Sequence, residues 1–237
     1  MSDDRELTFY GHSNRMLIEM ALKSGELRDC QIVECELNGM KTGDAVWDHA
    51  DMRDLHANDT CFQGTGLRGS RFFRSSFMRA RFLGCRCDRM VFDGLTLIKS
   101  QWSNNELRES TIQNASLQRA VFRGNRFISS SFSDFEALDA VVEDCVFAHS
   151  SVNISYGSGM NGFSGGLIKN CIFYNCRFEG FPLRGADVES CVFLYCRGEI
   201  GDEMVCRNVA GLGLRGQVKP AAVKDPAAAE RLLKAYR

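Results

Sequence analysis

The sequence lacks the features that mark several common classes of protein. No apolar run in its 237 residues approaches the ~18 residues that span a bilayer. The N-terminus, MSDDRELTFYGHSNR, is polar and acidic, and no basic segment leads into an apolar one as in a secretory signal peptide. We therefore expect a cytoplasmic protein without a membrane span, and secretion by a dedicated export system stays open.

Familiar catalytic motifs are also missing. The sequence has no Walker A loop, no HExxH pair and no paired-carboxylate helix, and its four histidines have no metal-ligand spacing. GFSGG (162–166), GTGLRG (64–69) and GLGLRG (211–216) fit a nucleophile elbow or a dinucleotide-binding loop, but none lies in the strand–turn–helix unit that those motifs need. We expect a protein that is not an enzyme and that uses no metal and no cofactor.

The net charge of −1 is small, but the charge is unevenly distributed. Counted from the sequence, residues 1–60 carry 6 basic and 13 acidic residues (−7), and residues 61–133 carry 12 and 4 (+8). Residues 134–210 carry 5 and 11 (−6), and residues 211–237 carry 6 and 2 (+4). We call residues 61–133 the basic belt, because they separate two acidic zones.

What the sequence does contain is a five-residue repeat. From Leu27 to Val152, 22 of the 26 residues taken at intervals of five are large and apolar. The register then slips by one residue and continues over seven further large residues, from Phe163 to Phe193. A period of five fits neither a helix nor a strand. The repeat therefore describes a larger structural unit.

Small residues occupy the position two before each large one, and the exceptions are paired. Ala57 stands at a large position and is preceded by Leu55, and Ala137 is preceded by Phe135 in the same way. Such volume-conserving exchange is what a close-packed interior demands. Both positions are therefore predicted to face one core.

The 11 cysteines fit the same interpretation. Eight occupy the small inward position, and Cys87 occupies a large one. Buried free cysteine packs as a small hydrophobic residue, so we predict no metal site and no disulfide framework. Cys61 and Cys206 lie off the inward positions and are the candidates for exposure.

Segments such as ASLQR (115–119), AVFRG (120–124) and CIFYN (171–175) resemble the pentapeptide-repeat family, whose consensus reads roughly A-(D/N)-L-x-x. The resemblance implies an all-β fold, a right-handed quadrilateral parallel β-helix with four pentapeptides per coil. It covers roughly residues 25–197 and predicts about eight coils at the strand spacing of ~4.8 Å. It also implies a bacterial source.

The predicted organisation has three parts. Residues 1–25 form an N-terminal cap, residues 26–210 form the β-helix with a break at 153–162, and residues 211–237 form a linker and a C-terminal helix. The open ends of a β-helix need such caps.

The N-terminal segment HSNRMLIEMALKSG (12–25) predicts a short helix, with an irregular first coil as the alternative. The apolar residues that share a side of this helix are Met16, Leu17, Met20 and Ala21.

Near the C-terminus, Asp225 before Pro226 predicts the start of a helix. Its apolar side consists of Ala229, Leu232, Leu233 and Tyr236. This helix either caps the rod or forms a homodimer, and the sequence leaves both open.

Residues separated by four repeats are expected to stack on neighbouring coils, which sorts the charges of the belt. One column, Arg28, Asp48, Arg68, Asp88 and Arg108, alternates in sign and is predicted to be a stabilising ladder. A second column, Asp59, Arg79, Lys99, Arg119 and Asp139, holds three consecutive cations. We interpret Arg79, Lys99 and Arg119, with Arg81 at the adjacent corner, as the best candidate site for a partner, against the alternative that they only splay into solvent.

The break NISYGSGMNG (153–162) is the second candidate site, because loops on rigid scaffolds often carry recognition. Tyr156 and Met160 would be its contact residues, and a tolerated insertion is the alternative.

We predict a non-enzymatic interaction scaffold, a rigid rod that binds a protein partner of unknown identity. Two alternatives come from the resemblance: a DNA mimic of the quinolone-resistance (Qnr) type that binds gyrase, and a secreted bacterial effector. Mimicry of DNA needs a continuously acidic rod, and the belt argues against it. Nucleic-acid binding is disfavoured because the aromatic residues are predicted to face inward.

Overall fold

The structure is a computed structural model that describes residues 7–11, 15–23, 25–201 and 203–212. The repeat forms a parallel β-solenoid in which each coil has four faces, which we number 1 to 4 in chain order. Faces 1, 2 and 3 are parallel sheets of 9, 10 and 10 strands, and face 4 is a column of isolated bridges.

The strands of each face follow one another up the rod. Face 1 consists of Lys41–Gly43, Cys61–Gln63, Arg81–Leu83, Gln101–Ser103, Val121–Arg123, Val141–Glu143, Leu167–Lys169, Asp187–Glu189 and Val205–Arg207. Face 2 consists of Glu26–Arg28, Val46–Asp48, Gly66–Arg68, Arg86–Asp88, Glu106–Arg108, Arg126–Ile128, Val146–Ala148, Ile172–Tyr174, Val192–Leu194 and Ala210–Leu212. Face 3 consists of Leu7–Tyr10, Cys30–Val33, Asp51–Arg53, Arg71–Phe73, Val91–Asp93, Thr111–Gln113, Ser131–Ser133, Ser151–Asn153, Arg177–Glu179 and Arg197–Gly198. The bridges of face 4 join Glu36, His56, Ser76, Thr96, Ser116, Glu136 and Gly162.

The predicted β-helix is confirmed, but the predicted number of about eight coils is too small. The larger sheets have ten strands. The count from sequence stopped where the five-residue pattern fades, whereas the ladder also includes Leu7–Tyr10 before the helix and continues to Ala210–Leu212. Backbone hydrogen bonds extend a sheet without needing the side-chain pattern.

Over most of the rod, each residue stacks on the one that follows it by four pentapeptides, as Phe62 opposite Phe82 illustrates. Across the break the step is longer, with Val142 opposite Ile168, so the break is a six-residue insertion. The last step on face 1 is shorter than the regular one, from Val188 to Cys206. Six inserted residues equal one full repeat of five plus one extra residue, and that extra residue is the slip seen in the sequence pattern.

The core consists of the inward residues at the centre of each three-residue strand and the small residues at the corners. Aromatic rings stack along the axis, with Phe82 and Trp102 at 4.0 Å between centroids. The paired exceptions Leu55 and Ala57 are both buried, which confirms the predicted exchange of volume. Stacking between aromatic rings stabilises the core in addition to the burial of apolar area.

Ten of the 11 cysteines are buried and all are free thiols. Burial raises the pKa of Cys85 to about 11 and that of Cys87 well above its usual value. The expectation that Cys61 is exposed is wrong, because it is 7% exposed. It lies between Lys41 and Arg81 in the register, and long side chains of this kind cover a small neighbour.

The N-terminal helix spans Arg15–Lys23, inside the segment predicted from sequence, and excludes the alternative of an irregular coil there. Ile18 is fully buried against the core. Of the predicted apolar side, Met16, Leu17 and Met20 are turned outward, at 68%, 47% and 58% exposed, whereas Ala21 packs against the core.

The predicted C-terminal helix lies outside the described residues. No helix in the described part of the chain is long and apolar enough to cross a membrane.

Candidate interaction surface

The three cations Arg79, Lys99 and Arg119, which we call the basic ridge, lie at the corner between face 4 and face 1. Each is the third residue of a four-residue turn; at Arg79 the carbonyl of Phe77 accepts from the amide of Ala80 at 3.1 Å. Their φ angles are 56°, 58° and 55°, in the left-handed region. Stacking of successive coils brings the three side chains into one column, as predicted.

The two ends of the basic ridge are ion-paired with the acidic residues of the same column, so two of its three cations have a partner within the chain. Arg79 donates two hydrogen bonds to Asp59, at 2.7 and 2.6 Å, and Arg119 lies 3.6 Å from Asp139. The hydrogen bonds from Arg79 hold the pKa of Asp59 below its ordinary value. Within the described residues, Lys99 has no carboxylate partner within ion-pair distance.

The residue types at the left-handed corners distinguish the belt from the rest of the rod. The left-handed region is favoured by glycine, asparagine and aspartate, and other residues there are strained. Among the described residues, the lysines and arginines with positive φ are Arg74, Arg79, Arg89, Lys99 and Arg119. All five lie between residues 74 and 119, inside the basic belt. The left-handed corner itself recurs along the rod, at 26 described non-glycine residues from Asp29 to Asn208, so the belt differs in the charge of the residue that stands there.

An apolar column, interrupted at Gln118, whose amide donates to Glu136 at 2.8 Å, runs along face 4 beside the basic ridge. Met78 and Ile98 are partly exposed and immediately precede Arg79 and Lys99, and Leu138 is 42% exposed. Apolar side chains flanked by arginine are typical of the contact area between proteins. We call the basic ridge and this column together the candidate surface.

A shallow groove of about 230 Å³ borders face 4 on the side opposite the ridge. Its polar lining includes Asp54, His56, Arg74 and Thr96. Arg74 donates to Asp54 at 2.9 Å, so the arginine on this side of the face is also ion-paired.

The break forms a loop at the corner between face 3 and face 4. Ser155 anchors it, since its amide and hydroxyl donate to Asp134 at 2.6 and 2.9 Å. Tyr156 is fully exposed, whereas Met160 is partly buried and packs against the core. Of the two predicted contact residues in the loop, the structure therefore leaves Tyr156 available and uses Met160 for packing.

Arg81 is exposed on face 1, where it lies between Cys61 and Gln101 in the register. The structure places it next to the ridge, as predicted, and gives it no ion pair among the described residues.

The predicted charge ladder on face 2 has the expected register but few of the expected pairs. Arg28 lies 4.0 Å from Asp48, and Arg108 pairs with Glu106 of its own strand at 2.5 Å. Arg68 has no carboxylate within ion-pair distance in the described part of the chain. A pairing within one strand was open to sequence reasoning, because residues i and i+2 share a face.

Two kinds of chemistry find no support in the described residues. No group of three or more His, Cys, Asp or Glu side chains there is placed to hold a metal ion. The exposed thiol of Cys206 has a raised pKa, first because of partial burial and then because of Cys191 and Asp187, which disfavours a nucleophilic thiolate.

With this geometry described, the chain can be compared with known proteins. No model of a known protein family matches the sequence, and no curated protein matches it. Among solved structures, it is similar to HetL, a pentapeptide repeat protein involved in heterocyst differentiation regulation from Nostoc sp. strain PCC 7120. The identity is 13%, the match covers 89% of this chain and 97% of HetL, and the TM-score is 0.44.

A second similar structure is QnrB1, a plasmid-mediated fluoroquinolone resistance protein, at 16% identity, with 90% of this chain and 99% of QnrB1 covered and a TM-score of 0.37. The five-residue repeat with four faces per coil is itself the pentapeptide-repeat architecture, so the resemblance noted in the sequence is confirmed for the fold. At these identities and TM-scores, no function is transferred from either protein to this chain.

The apolar column of face 4 was missed by sequence reasoning. Its signal was present, since Met78, Ile98 and Leu138 each follow an inward residue and lie one or two coils apart. The pattern of large inward residues is stronger, and the weaker recurrence of apolar residues on the outer surface was overlooked beside it.

Proposed function

We propose that this protein is a non-enzymatic scaffold, a rigid rod that binds an acidic protein partner through the candidate surface. The observation that carries the proposal is the coincidence of two features on one edge of the rod. Among the described residues, lysine and arginine occupy the left-handed corners only within the basic belt, and a partly exposed apolar column lies beside three of them.

The apolar and the basic residues of the candidate surface have different roles in binding. Ile98 and Leu138 supply apolar area that a partner can cover, and each Å² so covered contributes on the order of 25 cal/mol. Lys99 and the neighbouring arginines steer an acidic partner and fix its register. Because the pairs Arg79–Asp59 and Arg119–Asp139 are exposed, each contributes little to stability and can exchange for a carboxylate of the partner.

The alternative of a DNA mimic that binds gyrase has weaker support. A gyrase-binding DNA mimic would need an acidic surface, and the basic belt, with 12 basic and 4 acidic residues (a net charge of +8), interrupts it. This alternative predicts protection of DNA supercoiling from a quinolone, and no effect at excess protein would exclude it. The secreted effector and a cytoplasmic location remain predictions from the sequence.

Site-specific photo-crosslinking in cells tests the proposal. A photoreactive amino acid at Ile98 is expected to trap a partner, because Ile98 is partly exposed beside the ridge, whereas the same group at Gln113 on face 3 serves as the matched control. Adding Lys99→Glu to the Ile98 probe should abolish the adduct. Equal adducts from both positions, or none from Ile98, would contradict the proposed surface.

A further inference from the structure

A second groove, of about 250 Å³, lies at the corner between face 2 and face 3, in the coils on either side of the break. Its lining combines two arginines, a histidine, an asparagine and five serines, and no carboxylate is among these described residues. We call it the serine groove. It lies at the corner diagonally opposite the basic ridge, so a partner on the candidate surface leaves it open.

Two stacked arginines give the serine groove its charge. Arg177 and Arg197 lie opposite one another in the register of face 3, which separates their backbones by one strand spacing of ~4.8 Å. Like charges directly opposite one another destabilise a sheet. Arg177 is ion-paired with Glu179 of its own strand, whereas Arg197 has no carboxylate within ion-pair distance in the described part of the chain. An anion in the groove would therefore neutralise a guanidinium that the chain itself leaves uncompensated.

The histidine of the serine groove is held in one tautomer. The side-chain nitrogen of Asn175 lies 2.9 Å from Nδ1 of His149. An amide nitrogen only donates, so Nδ1 accepts and the ring proton is on Nε2. Tyr174 contacts the same ring edge-to-face, with 5.2 Å between centroids. His149 thus lines the groove with an N–H donor on a ring that is positioned by two neighbours.

The serines of the groove divide into structural and available hydroxyls. Ser130 and Ser150 are buried, and their hydroxyls donate to backbone carbonyls of the rod at 3.1 Å. The hydroxyls of Ser129 and Ser151 make no hydrogen bond to another described residue. Ser151 also lies opposite Arg177 in the register, so an available hydroxyl stands directly beside the stacked arginines.

The kind and number of these donors indicate the class of ligand. The planar fork of a guanidinium matches the oxygens of a carboxylate or a phosphate group. A carboxylate has only two oxygens, whereas a phosphate monoester presents three strong acceptor oxygens and close to two negative charges. Donors of three kinds, guanidinium, imidazole and hydroxyl, therefore suit a phosphate group better than a carboxylate.

We propose that the serine groove binds a phosphate group, free or as a monoester. The guanidinium of Arg197 supplies the charge, and the hydroxyl of Ser151 and Nε2–H of His149 donate to the remaining oxygens. This site is independent of the candidate surface, because the two share no residue and lie on opposite corners of the coil.

A titration of the full-length protein with phosphoserine, followed by NMR, tests the proposal. Saturable shifts are expected at the backbone amides of Ser151, Arg177 and Arg197. Arg197→Gln should raise the dissociation constant about tenfold or more, because it removes a charge-assisted pair of hydrogen bonds. Arg71→Gln is the matched control and should leave the constant unchanged, since Arg71 is exposed in the same column of face 3 but stacks on Val91 instead of a second arginine.

Two further probes identify the chemistry and the source of the ligand. Equal affinity for inorganic phosphate and phosphoserine supports a site for free phosphate, and tighter binding of phosphoserine supports a site for an ester. Acetate that binds as tightly as phosphoserine would overturn the assignment to a phosphate group. Absence of saturable shifts at the three amides, or the same loss of affinity in Arg71→Gln as in Arg197→Gln, would overturn the site itself.

Discussion

The coils of residues 61–140 and the coils that follow residue 141 have similar interiors and different outer surfaces. Stacked rings fill both interiors, with centroids 4.0 Å apart for Phe82 and Trp102 and 4.6 Å for Phe173 and Phe193. On the outside, the first region carries cations at its corners, and the second carries an acidic surface with an apolar cluster on face 2. The repeat thus constrains the residues that face inward and leaves the outer ones free to differ.

This comparison assigns stability to the interior and recognition to the exceptions on the outside. Inward residues are exchangeable only for others of similar volume, because the interior is close-packed. Outer residues of a solenoid contact only solvent and the neighbouring coils. The basic ridge is a departure that packing between coils does not explain, whereas Val146, Ile172 and Leu194 on the outside of face 2 pack against one another.

The largest expected effect concerns the interior and treats the two regions alike. Trp102→Ala and Phe173→Ala should each lower the free energy of unfolding by roughly 3–5 kcal/mol, because both rings are fully buried between stacked neighbours. Gln113→Ala, at an outer position, should change it by less than about 0.5 kcal/mol. Denaturant unfolding measures all three. A much smaller cost in one region would show that the interiors are not equivalent.

The next largest effect on stability is expected at the corner before face 2, where Asn105 and Asn125 are followed by Cys145 in the same column. Asn125 donates to the carbonyl of Trp102 at 2.7 Å and accepts from the side chain of Asn105 at 2.9 Å. Asn125→Ala leaves these buried groups unpaired and should cost about 1–3 kcal/mol.

In the next coil, Cys145 replaces the amide and donates to the carbonyl of Phe122 at 3.6 Å. Asn125→Cys should therefore cost less than Asn125→Ala, because a thiol can reach the same carbonyl. Equal costs in thermal unfolding would contradict this interpretation of the column.

The smallest effect concerns the charge at the end of the basic ridge. Asp59→Asn removes the partner of Arg79 and should strengthen capture of an acidic partner, with little change in stability, because the pair is exposed. Binding should be measured at two salt concentrations, since the gain is electrostatic and should shrink at high salt. Asp139→Asn provides the same test at the other end, and weaker capture by either variant would contradict the proposed surface.

The same pair has a small dependence on pH. The folded pKa of Asp59 is lowered by the hydrogen bonds from Arg79, so its contribution to stability is present above the unfolded pKa and is lost as the pH falls through the folded value. The difference in melting temperature between the unmodified protein and Asp59→Asn should therefore vanish in strong acid. A difference that grows toward low pH would have the wrong sign.

Most of the fold could be predicted from the sequence, because a buried position repeated every five residues leaves a direct trace in composition. The break was located from Gly157, Gly159 and the slipped register. What could not be predicted depends on contacts that have no period. Ile18, not Met16, faces the core, because the direction of a short helix depends on the end of the rod against which it packs.

The candidate site was predicted only in part. Stacking of successive coils placed Arg79, Lys99 and Arg119 in one column, but the distance and direction of each side chain decide whether it pairs with Asp59 or Asp139. The apolar outward residues of face 2, Val146, Ile172 and Leu194, were missed because Val146 and Ile172 stack across the insertion, where the spacing in the sequence departs from the regular repeat.

The most direct test of the account separates stability from recognition at one residue. Lys99→Gly relieves the left-handed backbone at φ 58° and should raise the free energy of unfolding by about 1 kcal/mol, since glycine adopts this region without strain. Glu109→Gly, at φ 48° on the opposite side of the coil, should raise it similarly. We predict that Lys99→Gly loses the crosslinked partner at Ile98 while Glu109→Gly keeps it. A Lys99→Gly protein that retains the partner would contradict the assignment of this surface.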